Sequence, residues 1–215
     1  MVINELSAWH IFVKRYQLTC EQEDLFKRYF QAMQSWEEFG NITAISDEKS
    51  FVELHFDDSL VLTKFIDMTT ITSIADIGSG GGFPGIPLKI MFPHLSVYLI
   101  EVKRKKIAFL ERLVSELGLE NVTVVPLDWR TFLRKTNFSI DLFCARASLP
   151  VTEFVRMFKP SSPYKHARLV YWAAQDWQAP RHVTCYMKHD WRYFIGERVR
   201  RLILFQHNNQ ASSGG

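Results

Sequence analysis

Residues 74–85 read Ile-Ala-Asp76-Ile-Gly78-Ser79-Gly80-Gly-Gly82-Phe83-Pro-Gly85, and no other run narrows the possible folds as much. An apolar stretch, Ile71–Ile77, leads into it with the character of a buried strand, and Gly85–Met91 leads out as a helix that ends before Pro93. Glycine in such a loop permits positive φ and lets the backbone approach a ligand closely. The N–H groups opening the next helix then face that ligand. Pro84 suits the first turn of a helix, where its missing N–H costs nothing. Strand, glycine loop and helix form the opening unit of a Rossmann-like sheet, whose ligands lie beyond the carboxyl ends of the strands.

The alternation continues downstream. Strands are predicted at 96–101, 122–126, 140–145 and 168–173, separated by helices at 103–117, after residue 126, and at 151–158. Residues 182–188 and 198–205 read as two more strands, paired antiparallel across the Gly196 break. Before the glycine loop the pattern is helical: Leu25, Phe26, Tyr29, Phe30, Met33, Trp36 and Phe39 recur at helical spacing, Gly40-Asn41 stops that helix, and another covers 48–65. The expected fold is α/β: a Rossmann-like, mostly parallel seven-stranded sheet with an N-terminal helical cap. The cap takes residues 1–68, the core 69–207, and 208–215 form a disordered tail, all within one compact domain.

The glycines alone do not choose a ligand. Gly80, Gly82 and Gly85 satisfy the spacing of a nicotinamide dinucleotide site, a weak pattern taken alone. Asp76 argues against it, because a carboxylate two residues before the first glycine would repel a pyrophosphate. A like-charge contact near 4 Å costs about 4 kcal/mol at an effective dielectric of 20. The same acid suits the ammonium and sulfonium of S-adenosylmethionine. Glu101 ends the second strand, where it can accept hydrogen bonds from ribose hydroxyls of either cofactor. After the third strand, Asp128 could accept from an adenine amino group and Trp129 could stack on the base; core packing is the other role open to Trp129.

Several segments resemble the RsmG (glucose-inhibited division protein B) family of methyltransferases. These are Asn41-Ile-Thr-Ala-Ile45, His55-Phe-Asp-Asp58-Ser59-Leu60, and the loop from Asp76 through Phe-Pro-Gly-Ile-Pro-Leu88. Further along come Glu101 with Lys105-Lys106-x-x-Phe109-Leu110, Asp141 with Arg146-Ala147, and Gly196-Glu197-Arg198. The resemblance implies a Rossmann-like fold specific to S-adenosylmethionine-dependent methyltransferases and methylation of guanine N7 in small-subunit (16S) ribosomal RNA. Together with the loop chemistry above, it leads to expected cofactor contacts from Asp76, Gly78, Ser79, Gly80, Gly82, Phe83, Gly85, Glu101, Asp128, Trp129, Arg130 and Arg146. Two departures stand out. Asp128-Trp129-Arg130 replaces the family's Arg-Ala-Glu, and Trp172-Ala173-Ala174 stands where the family carries Lys-Gly.

Guanine N7 has a free lone pair, so no proton must leave before attack and no general base is required. Alignment of donor and acceptor supplies most of the acceleration; effective molarity can contribute roughly 7–11 kcal/mol. Arg146 is expected to orient the base through its paired donors, with Asn41, His55, Asp58 and Ser59 forming the pocket floor. An ion pair is the alternative role for Arg146, and local structure the alternative for His55. Two other readings stay open: a nicotinamide-dependent oxidoreductase, and a non-catalytic RNA-binding or ribosome assembly factor.

Composition bounds the rest. With 47% hydrophobic residues the chain can build a large core, which sets aside disorder for the bulk of it. Three scattered cysteines without a CxxC pair point to neither a disulfide framework nor a metal site. Basic residues gather at Lys103–Lys106 and in the last third, among them Arg168, Arg181, Lys188, Arg192, Arg198, Arg200 and Arg201. That asymmetry suits a polyanion partner such as ribosomal RNA or the small ribosomal subunit, or else a solvated basic face. With no signal segment or long apolar run, a soluble, cytoplasmic protein is expected; a monomer is expected as well.

Overall fold

The computed structural model describes residues 7–36, 45, 47–146 and 149–207. Asn41, the helix stop at Gly40-Asn41 and the tail 208–215 lie outside them. Helix α1 (Ala8–Tyr16) opens on Ser7, whose hydroxyl accepts from the His10 N–H. Helix α2 (Cys20–Ser35) opens on a reciprocal cap, Thr19 and Gln22 each accepting the other's backbone N–H. Phe12 of α1 and Phe26, Tyr29 and Met33 of α2 turn inward at helical spacing.

The helix expected over 48–65 is not uniform. It runs as α3 (Glu48–Phe51), a π-helical turn Val52–Asp57, α4 (Asp58–Leu60) and a 3₁₀ turn Val61–Lys64. Wide turns of this kind gather at functional sites, since the extra residue re-aims the side chains that follow. Here the turn carries His55 and delivers Asp57 and Asp58 to the interior, both buried.

The sheet contains β1 (Ser73–Ile77), β2 (Ser96–Ile100), β3 (Val122–Val125), β4 (Leu142–Arg146), β5 (Arg168–Ala174), β6 (Met187–Ile195) and β7 (Arg198–Phe205), in the order β3-β2-β1-β4-β5-β7-β6. The first five strands pair in parallel; β7 runs antiparallel to both β5 and β6. Four further helices, α5 (Gly85–Met91), α6 (Arg104–Glu116), α7 (Trp129–Lys135) and α8 (Val151–Phe154), complete the expected Rossmann-like α/β architecture.

Side chains alternate across the sheet. Ile74, Leu142, Cys144, Val170 and Trp172 join the cap's Phe12, Phe26 and Tyr29 in one buried cluster. Ala75, Phe143, Ala145 and Leu169 face the other way, onto Trp129, Phe132 and Phe154. The strand predicted at 182–188 is a correction: Arg181–Tyr186 form a 3₁₀ turn, and β6 starts at Met187. Val183 is apolar because it plugs the second cluster. In β6, exposed Asp190, Arg192 and Phe194 alternate with inward Trp191, Tyr193 and Ile195, a half-solvated pattern that polar residues disguise. Among the described residues no helix is long and apolar enough to cross a membrane.

Candidate functional site

Strand order reverses between β1 and β4: β2 and β3 lie to one side of β1, and the later strands to the other. A cleft of about 440 Å³ opens beyond the carboxyl ends of these strands, where such sheets place their ligands. Its wall takes Ile77 to Gly81 after β1, Ile100 to Lys103 after β2, Leu127 to Trp129 after β3, and Arg146 at the end of β4. Met33 of α2, His55 and Phe83 close it from the cap side, and Lys106 of α6 and Leu149 complete the rim.

The loop holds its shape through contacts only glycine allows. At Gly82, with φ +101°, an added Cβ would lie 2.7 Å from Ile86 Cδ1 and 2.8 Å from the Tyr29 hydroxyl. At Gly85 it would lie 2.6 Å from Leu99 Cδ2. These two glycines pack the loop against its helix and sheet rather than lining the cleft. Pro84 stands at the N-cap of α5, one position before the first helical residue.

Asp76 lies fully buried behind the loop rather than on the cleft wall. One carboxylate oxygen accepts the Gly85 N–H at 3.0 Å; the other has no hydrogen-bond partner. Burial pushes its carboxyl up to about 7, against the pull of the Gly85 N–H and of Arg146. Asp76 therefore occupies the amide that opens α5, where a dinucleotide-binding sheet would seat pyrophosphate.

Glu101 does reach the cleft. Its carboxylate accepts the Gly80 N–H at 3.0 Å, the Val102 N–H at 2.8 Å and the Lys103 N–H at 3.0 Å. A carboxylate has about four acceptor positions, so about one remains for a ligand hydroxyl, not the two contacts expected for a ribose. Asp128 lines the cleft and caps α7, accepting from Thr131 N–H at 2.9 Å and Thr131 Oγ1 at 2.7 Å. Trp129 takes its alternative role: it is 3% exposed, packs beside Phe132, Phe143 and Phe154, and donates Nε1–H to the Glu153 carbonyl. It still contributes to the cleft wall.

Arg130 does not line the cleft. It forms a bidentate pair with Glu153 on the adjacent surface. The reason is local: Asp128 caps α7, so residue 130 falls on the helix's outer face, within reach of α8. Among the residues the sequence left aside are Met33, Leu127 and Leu149, which carry no motif, and Lys103 and Lys106, which it assigned to RNA phosphates. Helical spacing marked Met33 as inward-facing, but nothing marked it as part of a site.

Arg146 joins the cap to the sheet. Its Nη1 donates to the Leu54 carbonyl and to Asp58 Oδ2, both at 3.2 Å, and its Nη2 lies 3.2 Å from His55 Nδ1. The guanidinium also sits 5.3 Å from the centre of the Phe83 ring. That ring stacks with His55 at 4.5 Å and with Tyr29 at 5.2 Å. Burial, then Arg146 and Arg200, hold the His55 imidazolium down to about 3, so the ring is neutral and can accept from Arg146.

Asp58 lies behind Arg146, off the cleft wall and fully buried. It accepts from Tyr193 Oη at 2.8 Å, Arg146 at 3.2 Å and Arg200 at 3.3 Å, while its carbonyl takes Trp172 Nε1–H at 2.9 Å. Ser59 bonds back to the His55 carbonyl. A second cavity of about 480 Å³ lies on the far side of Arg146, lined by Trp172, Gln175, Glu197, Arg198 and Arg200. Arg146 borders both spaces.

Comparison with known proteins agrees with this architecture. A human methyltransferase 10 domain-containing protein superposes with a TM-score of 0.59 at 13% identity, over 86% of this chain and 96% of that one. A putative methyltransferase from Escherichia coli gives 0.55 at 15% identity, over 70% of this chain and 86% of that one. At such identities the likeness establishes the fold alone. In sequence, the chain is 44% identical over 124 residues to the ribosomal RNA small subunit methyltransferase G of Geobacillus sp. (strain WCH70), covering 57% of this chain and 52% of that protein. The corresponding protein of Geobacillus kaustophilus is 38% identical over 137 residues, 63% of this chain and 58% of the relative. The chain thus spans about half the length of the curated relatives it matches. The family model described as rRNA small subunit methyltransferase G matches residues 22–178, well over half of the sequence. The chain belongs to the GidB family, rRNA small subunit methyltransferase G.

Proposed function

We propose that this chain binds S-adenosylmethionine in the cleft and transfers its methyl group to guanine N7 of small-subunit ribosomal RNA. The observation that carries the choice of donor is Asp76 on the Gly85 amide. A buried carboxylate there fills the anion seat of the helix, so a pyrophosphate finds that seat taken while a cationic donor meets no such conflict. Asp76 and Glu101 are the two buried acids of the loop region. Glu101 offers about one acceptor position toward the cleft.

S-adenosylmethionine supplies an activated methyl group on a positively charged sulfur. The chain's own residues hold and align. Glu101 and the Gly78–Gly81 backbone form the cradle, and Trp129 and Leu127 make an apolar wall. Arg146 is the orienting residue: it borders both the cleft and the second cavity, so a base entering that cavity lies beside it. Guanine presents acceptors O6 and N7 along one edge and amino donors along another. The second cavity supplies donors from Arg146, Arg198 and Arg200 and a carboxylate acceptor from Glu197. Neutral His55 and buried Asp58 fix the guanidinium; as positioning residues they need move no proton.

Thermal unfolding tests the donor assignment. At a hundred times its dissociation constant, S-adenosylhomocysteine should add about 2.7 kcal/mol of stability. Reduced nicotinamide dinucleotide at the same concentration should add none. Protection by the dinucleotide and not by the adenosyl ligand would reverse the assignment.

A further inference from the structure

We propose that a basic groove on the surface beside the cleft, between α7 and the segment after α8, holds phosphates of the RNA substrate. This rests on the methyltransferase reading above. The groove has a volume of about 850 Å³ and is lined by Arg130 and Arg134 of α7, Arg156, Lys159, Ser161 and Ser162. Asp128 borders both this groove and the cleft, so a polyanion lying here would run next to the cofactor site.

The groove is built rather than merely charged. Glu153 holds two guanidiniums at once: Arg130 Nε and Nη2 donate to it at 2.8 and 3.0 Å, and Arg156 Nε lies 3.1 Å from its Oε2. Arg134 is tied back to the Arg130 carbonyl at 3.3 Å and to Thr131 Oγ1 at 3.4 Å. A guanidinium carries five N–H donors. Arg130 spends two on Glu153, which leaves three to point elsewhere. Fixing these side chains before binding removes much of the ordering cost that weakens a flexible cation.

The acids nearby are already engaged. Asp128 is taken up by Thr131, and Glu153 by the two arginines. What faces outward is an excess of cations with serine hydroxyls between them, the donor set that phosphate oxygens accept from. The few apolar members of the lining, such as Leu133 and Pro163, offer little to a lipid surface.

The test replaces two groove cations that do not hold Glu153. In the double variant Arg134→Gln/Lys159→Gln of this chain, binding of in vitro transcribed small-subunit ribosomal RNA is measured across a salt series. Each lost phosphate contact should flatten log K against log salt by about 0.7–0.9, so the pair should flatten it by about 1.4–1.8. A matched double variant on the cap, Lys14→Gln/Lys49→Gln, should leave the slope unchanged. Wild-type-like slope and affinity in the groove variant would overturn the groove while leaving the methyltransferase reading in place. Equal flattening in the cap variant would show a diffuse charge effect and overturn it as well. Wild-type protein that binds no RNA at low salt would sink both.

Discussion

Replacing Arg146 with alanine should lower kcat for methyl transfer by about 10²–10³, the usual cost of removing one preorganised donor from a transition-state contact. Affinity for S-adenosylhomocysteine should change far less, because the proposed cradle for the donor is Glu101 and the loop backbone, with Arg146 at the cleft's border. The protein should still fold. Asp58 keeps Tyr193 at 2.8 Å and Arg200 at 3.3 Å when Arg146 is gone, so no buried charge is left alone. A lysine at position 146 should rescue little. It retains charge, but a single ammonium cannot reproduce the fork that meets Leu54, His55 and Asp58 together. Loss of cofactor affinity with kcat preserved would move Arg146 to the donor and out of the acceptor cavity.

Asp58→Ala should do the reverse, striking stability first. It removes the carboxylate that Arg146, Arg200 and Tyr193 share. Removing one partner of a buried ion pair costs roughly 3–5 kcal/mol. The low end applies here, since the Arg146 and Arg200 side chains keep 15% and 29% of their exposure and can recover some water. About 3 kcal/mol in a domain of this size lowers the unfolding midpoint by roughly 6–12 °C. Asp58→Asn keeps an acceptor for Tyr193 and should lie between wild type and alanine. A midpoint within about 2 °C of wild type for Asp58→Ala would mean that the cluster is decorative. Transfer should fall in both variants even at temperatures where they stay folded, because Arg146 loses its anchor.

The alternation of strands and helices was legible because parallel strands buried on both faces read as continuous apolar runs. The half-solvated hairpin was less so: Lys188, Asp190 and Arg192 mask the inward Trp191, Tyr193 and Ile195, and Val183 and Tyr186 imitate a strand. The π turn at Val52–Asp57 was invisible, since one extra residue in a helical turn leaves the composition unchanged. Within the loop, spacing marks every glycine alike, although Gly82 and Gly85 are needed for packing and Gly80 for its φ of +61°, an added Cβ there meeting Lys106 Nζ at an ordinary 3.5 Å. Asp76 was singled out for its charge, yet its partner, the Gly85 amide nine positions later, emerges only when the chain folds back. Arg130 was misplaced for a similar reason: its partner Glu153 is distant in sequence and adjacent in space. Lys103 and Lys106 looked like part of a basic run, and the turn after β2 brings both to the cleft rim.

Small-subunit ribosomal RNA incubated with the purified protein and methyl-labelled S-adenosylmethionine, then digested and mapped by mass analysis, tests the central claim most directly. The label should appear on guanine N7, at a single site, and should be lost with Arg146→Ala. Label on another atom or base, or none from a protein that binds the cofactor, would contradict it.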